Sequence, residues 1–185
     1  MRVALFGKMR SGKDTVGEIL IKRYDFKRYA FGDGIGEIIH KYFPDTLKHG
    51  KPRHHYQFIG QQLRELDEDV WIKYLLKKVE ADEPKRAVQE IPFNVVVTDA
   101  RQYNEYLRLK ENGYIIVKVE TDEDIRLERM RALGDNFTLE LLEHPTELQV
   151  DKVVPDVVIK NNGSLIDLEL AVAKFVLDHT VRGDK

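Results

Sequence analysis

The sequence predicts an α/β protein built in three α/β/α layers around a mostly parallel sheet. Three observations carry that reading. Short apolar runs alternate with helical patterns from end to end, the rhythm of repeated strand–helix units with helices on both faces. The run at 93–97 is continuous and rich in valine, as in strands buried on both sides. The first apolar run, Val3-Ala4-Leu5-Phe6, passes through a glycine-containing turn directly into a helical segment.

In order, residues 2–6 read as the first strand, 13–24 as the first helix and 26–31 as a short second strand. Residues 35–43 have helical spacing, broken by Pro44 and the polar Lys48-His49-Gly50-Lys51-Pro52. Two helices are expected at 56–65 and 68–81, the second with Val70, Trp71, Tyr74, Leu75 and Val79 on one face. A charged, proline-containing loop is expected at 82–90, before the strand at 93–97. Helix 104–110 ends at Gly113, strand 114–119 follows, and 122–133 forms a strongly charged helix. A loop-rich stretch at 134–155 precedes a last strand at 157–160 and a last helix at 165–176.

With 185 residues the chain suits one domain, 1–185, with a sizeable core. Its net charge of −2 argues against a general nucleic-acid binder, although an average can conceal a local basic cleft. Without cysteine, disulfides and thiolate metal sites are excluded. No run reaches membrane-spanning length, and Met1 leads straight into a strand. The expectation is a cytoplasmic protein, monomer or homodimer, with a small-molecule partner and neither nucleic acid nor membrane. Asn162-Gly163-Ser164 and Arg182-Gly183-Asp184 match glycosylation and adhesion patterns that have no meaning in that compartment.

The stretch Gly7-Lys8-Met9-Arg10-Ser11-Gly12-Lys13-Asp14-Thr15 has the spacing of a phosphate-binding P-loop between strand and helix. Glycines let successive backbone N–H groups converge on a phosphate, and the helix start adds the positive end of its dipole. Lys13 supplies an ammonium for the outer phosphates of ATP. The usual Ser or Thr after that lysine is Asp14 here, with Thr15 next. Either oxygen could hold Mg2+, and the spacing leaves both open. Val95-Val96-Val97-Thr98-Asp99 ends a strand in a carboxylate at the sheet's carboxyl edge, where Asp99 can hold magnesium or its water.

Ala100 stands where many P-loop ATPases carry a water-activating glutamate, and the guanine-reading Asn-Lys-x-Asp motif is absent. Transfer to an organic acceptor is therefore favoured over hydrolysis. Such chemistry needs cations around the anionic reactants. Arg126 and Arg129 share a helix face, while Arg131 points elsewhere. Arg53, Gln57, Arg64 and Trp71 form a second set: arginines to grip a phosphate, Gln57 to read a base edge, and Trp71 either to stack on it or to pack in the core of an amphipathic helix. Asp33, in Tyr29-Ala30-Phe31-Gly32-Asp33-Gly34, could position the acceptor or simply make a turn.

Taken together these motifs resemble the phage-type deoxynucleoside monophosphate kinases, within the adenylate-kinase-like P-loop kinases. The likeness rests on the P-loop with its Asp14, on 29–33, and on Gln57, Gly60, Arg64 and Asp69-Val70-Trp71. It continues through Thr98-Asp99-Ala100-Arg101-Gln102-Tyr103-Asn104-Glu105, His144-Pro145-Thr146-Glu147, and Asp156 with Asn161-Asn162-Gly163-Ser164. The resemblance implies a P-loop kinase fold with a five-stranded sheet, an acceptor-binding segment at about 33–81 and an arginine-bearing lid at about 122–142. It also implies roles for Arg101 and Glu105 near the substrate, and places Asn161 and Gly163 in the loop near adenine. Where relatives tend to carry Pro then Lys after the aspartate, this chain has Gly34 and Gly36, which removes a positive charge from the implied pocket. The alternatives are a dephospho-CoA kinase or phosphomevalonate kinase type of enzyme, or a non-catalytic nucleotide-binding module.

Overall fold

The computed structural model describes residues 1–88, 92–133 and 145–180, without the side chains of 49, 86 and 145–147. The chain forms two compact units: Met1–Arg28 with Phe93–Lys185, and Tyr29–Pro92.

The first unit holds a five-stranded parallel sheet of order β2-β3-β1-β4-β5. Its strands are β1 (Arg2–Phe6), β2 (Phe26–Tyr29), β3 (Asn94–Val97), β4 (Ile115–Glu120) and β5 (Val157–Lys160). β1 lies between β3, with Val3 opposite Val96, and β4, with Leu5 opposite Val117. β5 extends the sheet in parallel beyond β4. Strand periodicity sends Val3, Leu5, Val96, Val117 and Val119 to one face. There they meet Val16, Ile19 and Leu20 of α1 (Lys13–Tyr24) and Leu168, Val172 and Phe175 of the carboxyl-terminal helix Leu165–Thr180. On the other face Phe6 meets Tyr106 edge-on, with ring centroids 6.3 Å apart. Each such side chain, fully buried, contributes roughly 1.5–3 kcal/mol. Because β1 is central and buried on both sides, the turn at its carboxyl end is held by the stiffest part of the molecule.

The second unit is helical: α2 (Gly32–Tyr42), a 3₁₀ segment Pro44–His49, α3 (Arg53–Leu66) and α4 (Val70–Val88). Its core joins Ile35 and Ile39 of α2 to Trp71, Leu75 and Val79 of α4, all buried. Gly34 accounts for the first of the two departures noted in the sequence, the missing Pro. A Cβ there would sit 2.9 Å from the Tyr74 ring and 3.0 Å from the Trp71 ring, so α2 and α4 approach through a position that tolerates no side chain.

Two sequence expectations are corrected. The loop expected at 82–90 is helix through Val88, with Pro84 inside α4. Proline costs a helix interior about 3 kcal/mol, offset in part by a tertiary bond from Tyr29 Oη to Asp82 at 2.9 Å and by the i,i+3 pair of Lys85 with the same carboxylate at 2.9 Å. The stretch 134–155 contains a helix, Pro145–Asp151. Residues 134–144, which include His144 and most of the lid expected beyond 133, lie outside the described residues, as does Arg182-Gly183-Asp184. The two remaining helices of the first unit are α5 (Tyr103–Glu111) and α6 (Glu123–Ala132), which makes Pro145–Asp151 α7 and Leu165–Thr180 α8. No helix among the described residues is long and apolar enough to cross a membrane.

Candidate phosphate-binding site

Gly7, buried, carries the chain out of β1 into the loop that ends at the start of α1. Within it Arg10 has φ 62° and Gly12, the residue capping α1, has φ 92°. Left-handed residues of this kind let consecutive N–H groups face one concavity, which suits an anion. Gly12 has a second reason to be glycine: a Cβ there would collide with the Asn161 side-chain amide.

The loop is gripped from outside by its carbonyls. Arg126 donates to the Met9 oxygen at 3.2 Å, and Arg129 to the Arg10 oxygen at 3.4 Å. The Ser11 oxygen accepts from Thr121 Oγ1 and from Asn161 Nδ2, each at 2.8 Å. Arg129 also donates to the Asn161 oxygen at 3.0 Å, and Asn161 N–H to the Glu120 oxygen at 2.8 Å. In a trans peptide the N–H points opposite to the C=O. Tying the Met9 and Ser11 carbonyls outward therefore turns the Arg10 and Gly12 amides inward, while the Ser11 N–H donates to the Lys8 oxygen at 3.1 Å.

The Lys13 ammonium, almost buried, donates to the Thr98 carbonyl at the end of β3 and lies 3.2 Å from the Asp14 carboxylate. Since Asp99 is the next residue, loop lysine and strand-end carboxylate share the carboxyl edge of neighbouring strands β1 and β3. A cavity of about 380 Å³ opens over the loop. Its polar wall is Lys8 to Thr15 with Arg101, Arg129 and Asn161; its apolar wall is Leu133, Leu165 and Leu168, beside Gly163. One side thus suits phosphates and the other a flat organic ring.

For a magnesium ion the donors are hard oxygens, which fits. Asp14 and Thr15 are exposed at the head of α1, and Asp99 is half-buried. Among the described residues no three acidic or imidazole groups cluster into a metal cage. A nucleotide-bound ion needs none, because phosphates and water complete its shell.

Several residues singled out from the sequence serve the fold instead. Trp71 is not a stacking platform: its ring is 4% exposed and its Nε1–H donates to the Gly60 carbonyl at 3.0 Å. Glu105 is buried, and its carboxylate accepts the backbone N–H groups of Arg101 and Gln102 at 2.8 and 2.9 Å, closing a capping box on α5. Asp33 sits in the first turn of α2 and accepts from the Ala30 N–H at 3.2 Å. Arg126 and Arg129 hold the loop by its carbonyls, and Arg129 and Asn161 do so while lining the cavity. On α3, Arg53 and Gln57 are exposed and Arg64 is half-buried. Arg101 is exposed at the cavity wall, next to the P-loop.

Sequence reading missed Thr121, Leu133, Leu165 and Leu168. Thr121 was open to discovery by the rule that found Asp99, since it follows directly on a strand's carboxyl end. The leucines belong to helices whose apolar positions all look alike from sequence.

A family model described as AAA domain, AAA_18, matches residues 3–143. The chain belongs to that family. Solved structures similar to this AAA domain include TT1252 from Thermus thermophilus, 19% identical with a TM-score of 0.58, covering 96% of this chain and 97% of that one. Dephospho-CoA kinase from Campylobacter jejuni is 18% identical with a TM-score of 0.57, each chain covered completely. Shikimate kinase from Aquifex aeolicus is 20% identical with a TM-score of 0.54, covering 99% and 98%. At these identities the likeness establishes the fold. No curated protein sequence matches the chain.

The outer grip on the loop of this AAA domain is testable. Asn161→Ala removes one of two donors to the Ser11 carbonyl, and the loop's amides lose part of their fixed orientation. ATP affinity measured by calorimetry is expected to fall about tenfold, some 1.4 kcal/mol, with the unfolding midpoint nearly unchanged. Unaltered affinity would show that the loop keeps its shape without that bond.

Proposed function

We propose that the protein is an ATP-dependent kinase that moves the γ-phosphoryl group, with Mg2+, onto a (deoxy)nucleoside monophosphate. The observation that supports the phosphotransfer reading is Lys13 donating to the carbonyl of Thr98, the residue before Asp99. In this reading Lys13 and the loop amides of Arg10 and of Gly12 to Thr15 hold the outer phosphates. Asp99, with Asp14 or Thr15, holds the ion, which supplies charge neutralisation when bound. The leucine wall beside Gly163 takes the adenine, and Arg101 and Arg129 face the phosphates. An acceptor phosphate is already nucleophilic, so positioning and charge stabilisation suffice without a general base.

The acceptor assignment rests on the resemblance of the sequence motifs, with Arg53, Gln57 and Arg64 as its proposed contacts. The similar structures include kinases of dephospho-CoA and shikimate, so the acceptor is decided by experiment. ADP formation is to be measured with each deoxynucleoside and ribonucleoside monophosphate, dephospho-CoA, shikimate and gluconate. Stimulation by at least one nucleoside monophosphate well above the others is expected. Stimulation by another acceptor alone would replace the substrate while keeping the chemistry.

A further inference from the structure

The net charge of −2 hides a local imbalance. Between His40 and Phe58 the sequence places Lys41, Lys48, Lys51 and Arg53 against one carboxylate, Asp45, and four of the six histidines fall here. The same stretch carries Tyr42, Phe43, Tyr56 and Phe58. The structure brings this part of the second unit, the end of α2, the 3₁₀ segment and the start of α3, onto a solvent-facing surface. Tyr42, Phe43 and Phe58 are 62%, 43% and 59% exposed, unusual for three large rings so close in sequence.

The rings form a continuous path. Phe43 meets His55 at 5.4 Å between centroids, His55 meets His54 at 6.0 Å, and His54 meets Phe58 at 6.2 Å with planes within 10°. Cations are interleaved with them: the Lys41 ammonium lies 5.1 Å from the Tyr42 ring centre and that of Lys51 4.5 Å from the Tyr56 ring. His55 and Tyr56 are half-buried, Tyr56 against Gly36, but Tyr42, Phe43, His54 and Phe58 stay exposed, so core packing does not account for those four.

We propose that this surface binds single-stranded nucleic acid. Exposed rings offer faces to unstacked bases, and ammonium groups between them meet the phosphodiester backbone, the combination that sequence-tolerant single-strand binding uses. A duplex offers no unstacked faces. A membrane-lying helix would segregate rings from cations onto opposite faces, whereas here they alternate. The proposal concerns binding without ATP or turnover, so it stands or falls separately from the kinase reading.

The test is fluorescence anisotropy of the full chain with a labelled single strand of about 15 deoxythymidines. Saturable binding is expected, weakening roughly 20- to 50-fold between about 50 and 200 mM salt, as three or four phosphate contacts require. Phe43→Ala with Phe58→Ala is expected to weaken binding at least ~10-fold. Lys41→Glu with Lys51→Glu should both weaken it and flatten the salt dependence. Circular dichroism melting of each variant, and retained binding by Phe58→Tyr, separate lost contacts from lost folding. The proposal is overturned by no binding at low salt, or by folded variants that bind as the parent does. Equal competition by duplex or by thymidine monophosphate also overturns it, as does flotation with anionic vesicles in place of strand binding.

Discussion

Lys13→Ala is expected to lower phosphoryl transfer at least ~10²–10³-fold, with a folded protein remaining. The ammonium sits at the mouth of the loop, reaching the Thr98 carbonyl and lying beside Asp14. It is the group that would follow negative charge on the outer phosphates as the bond to the transferring group breaks. Alanine leaves a carbonyl at the cavity edge that water can reach, so the cost to stability is about 1 kcal/mol or less. ADP formation with the best acceptor, beside a thermal melt, reads both quantities. Undiminished turnover in the alanine variant would remove the phosphotransfer reading outright.

Trp71→Ala is expected to destabilise the second unit by about 3–5 kcal/mol, a large share of the roughly 5–15 kcal/mol typical of a domain. The ring is buried, packs against Gly34 and donates to the Gly60 carbonyl. Removing it leaves a cavity and takes from the Gly60 carbonyl, already bonded within α3, its second donor. Trp71→Phe fills most of the space and loses only the second bond on that carbonyl, so about 1–1.5 kcal/mol is expected. Urea denaturation followed by circular dichroism distinguishes the two. If Trp71 instead stacked on a substrate base, alanine would raise the acceptor KM and leave the midpoint in urea where it was. The same packing makes Gly34 intolerant of side chains, which accounts for the absence of Pro there.

The strands were legible because each is a short apolar run whose residues face helices on both sides. β1, β3 and β4 fall within a residue of their expected limits. Helix ends were less so. α4 runs past Pro84 while Tyr29, fifty-three residues away, holds Asp82, a bond that leaves no trace in local sequence, unlike the i,i+3 pair of Asp82 with Lys85. The aromatic surface on α3 was hidden for a related reason. Charge was averaged over the whole chain, and helical spacing does not tell an exposed Phe58 from a buried Trp71.

The anion-binding loop itself was determined by sequence alone, since its geometry depends on glycines, backbone amides and a following helix that are contiguous in the chain. The pairing of Lys13 with the end of β3 needed only the rule that parallel strands gather their carboxyl ends on one edge. What only the tertiary structure decided is what each polar side chain does once there. Arg126, Arg129, Thr121 and Asn161 come from separate segments, and they turn from presumed substrate contacts or unremarked residues into the clamp on three carbonyls. The physical reason is that a hydrogen-bonding side chain takes whichever partner the fold brings within about 3 Å, and that partner is set by packing over long sequence separations.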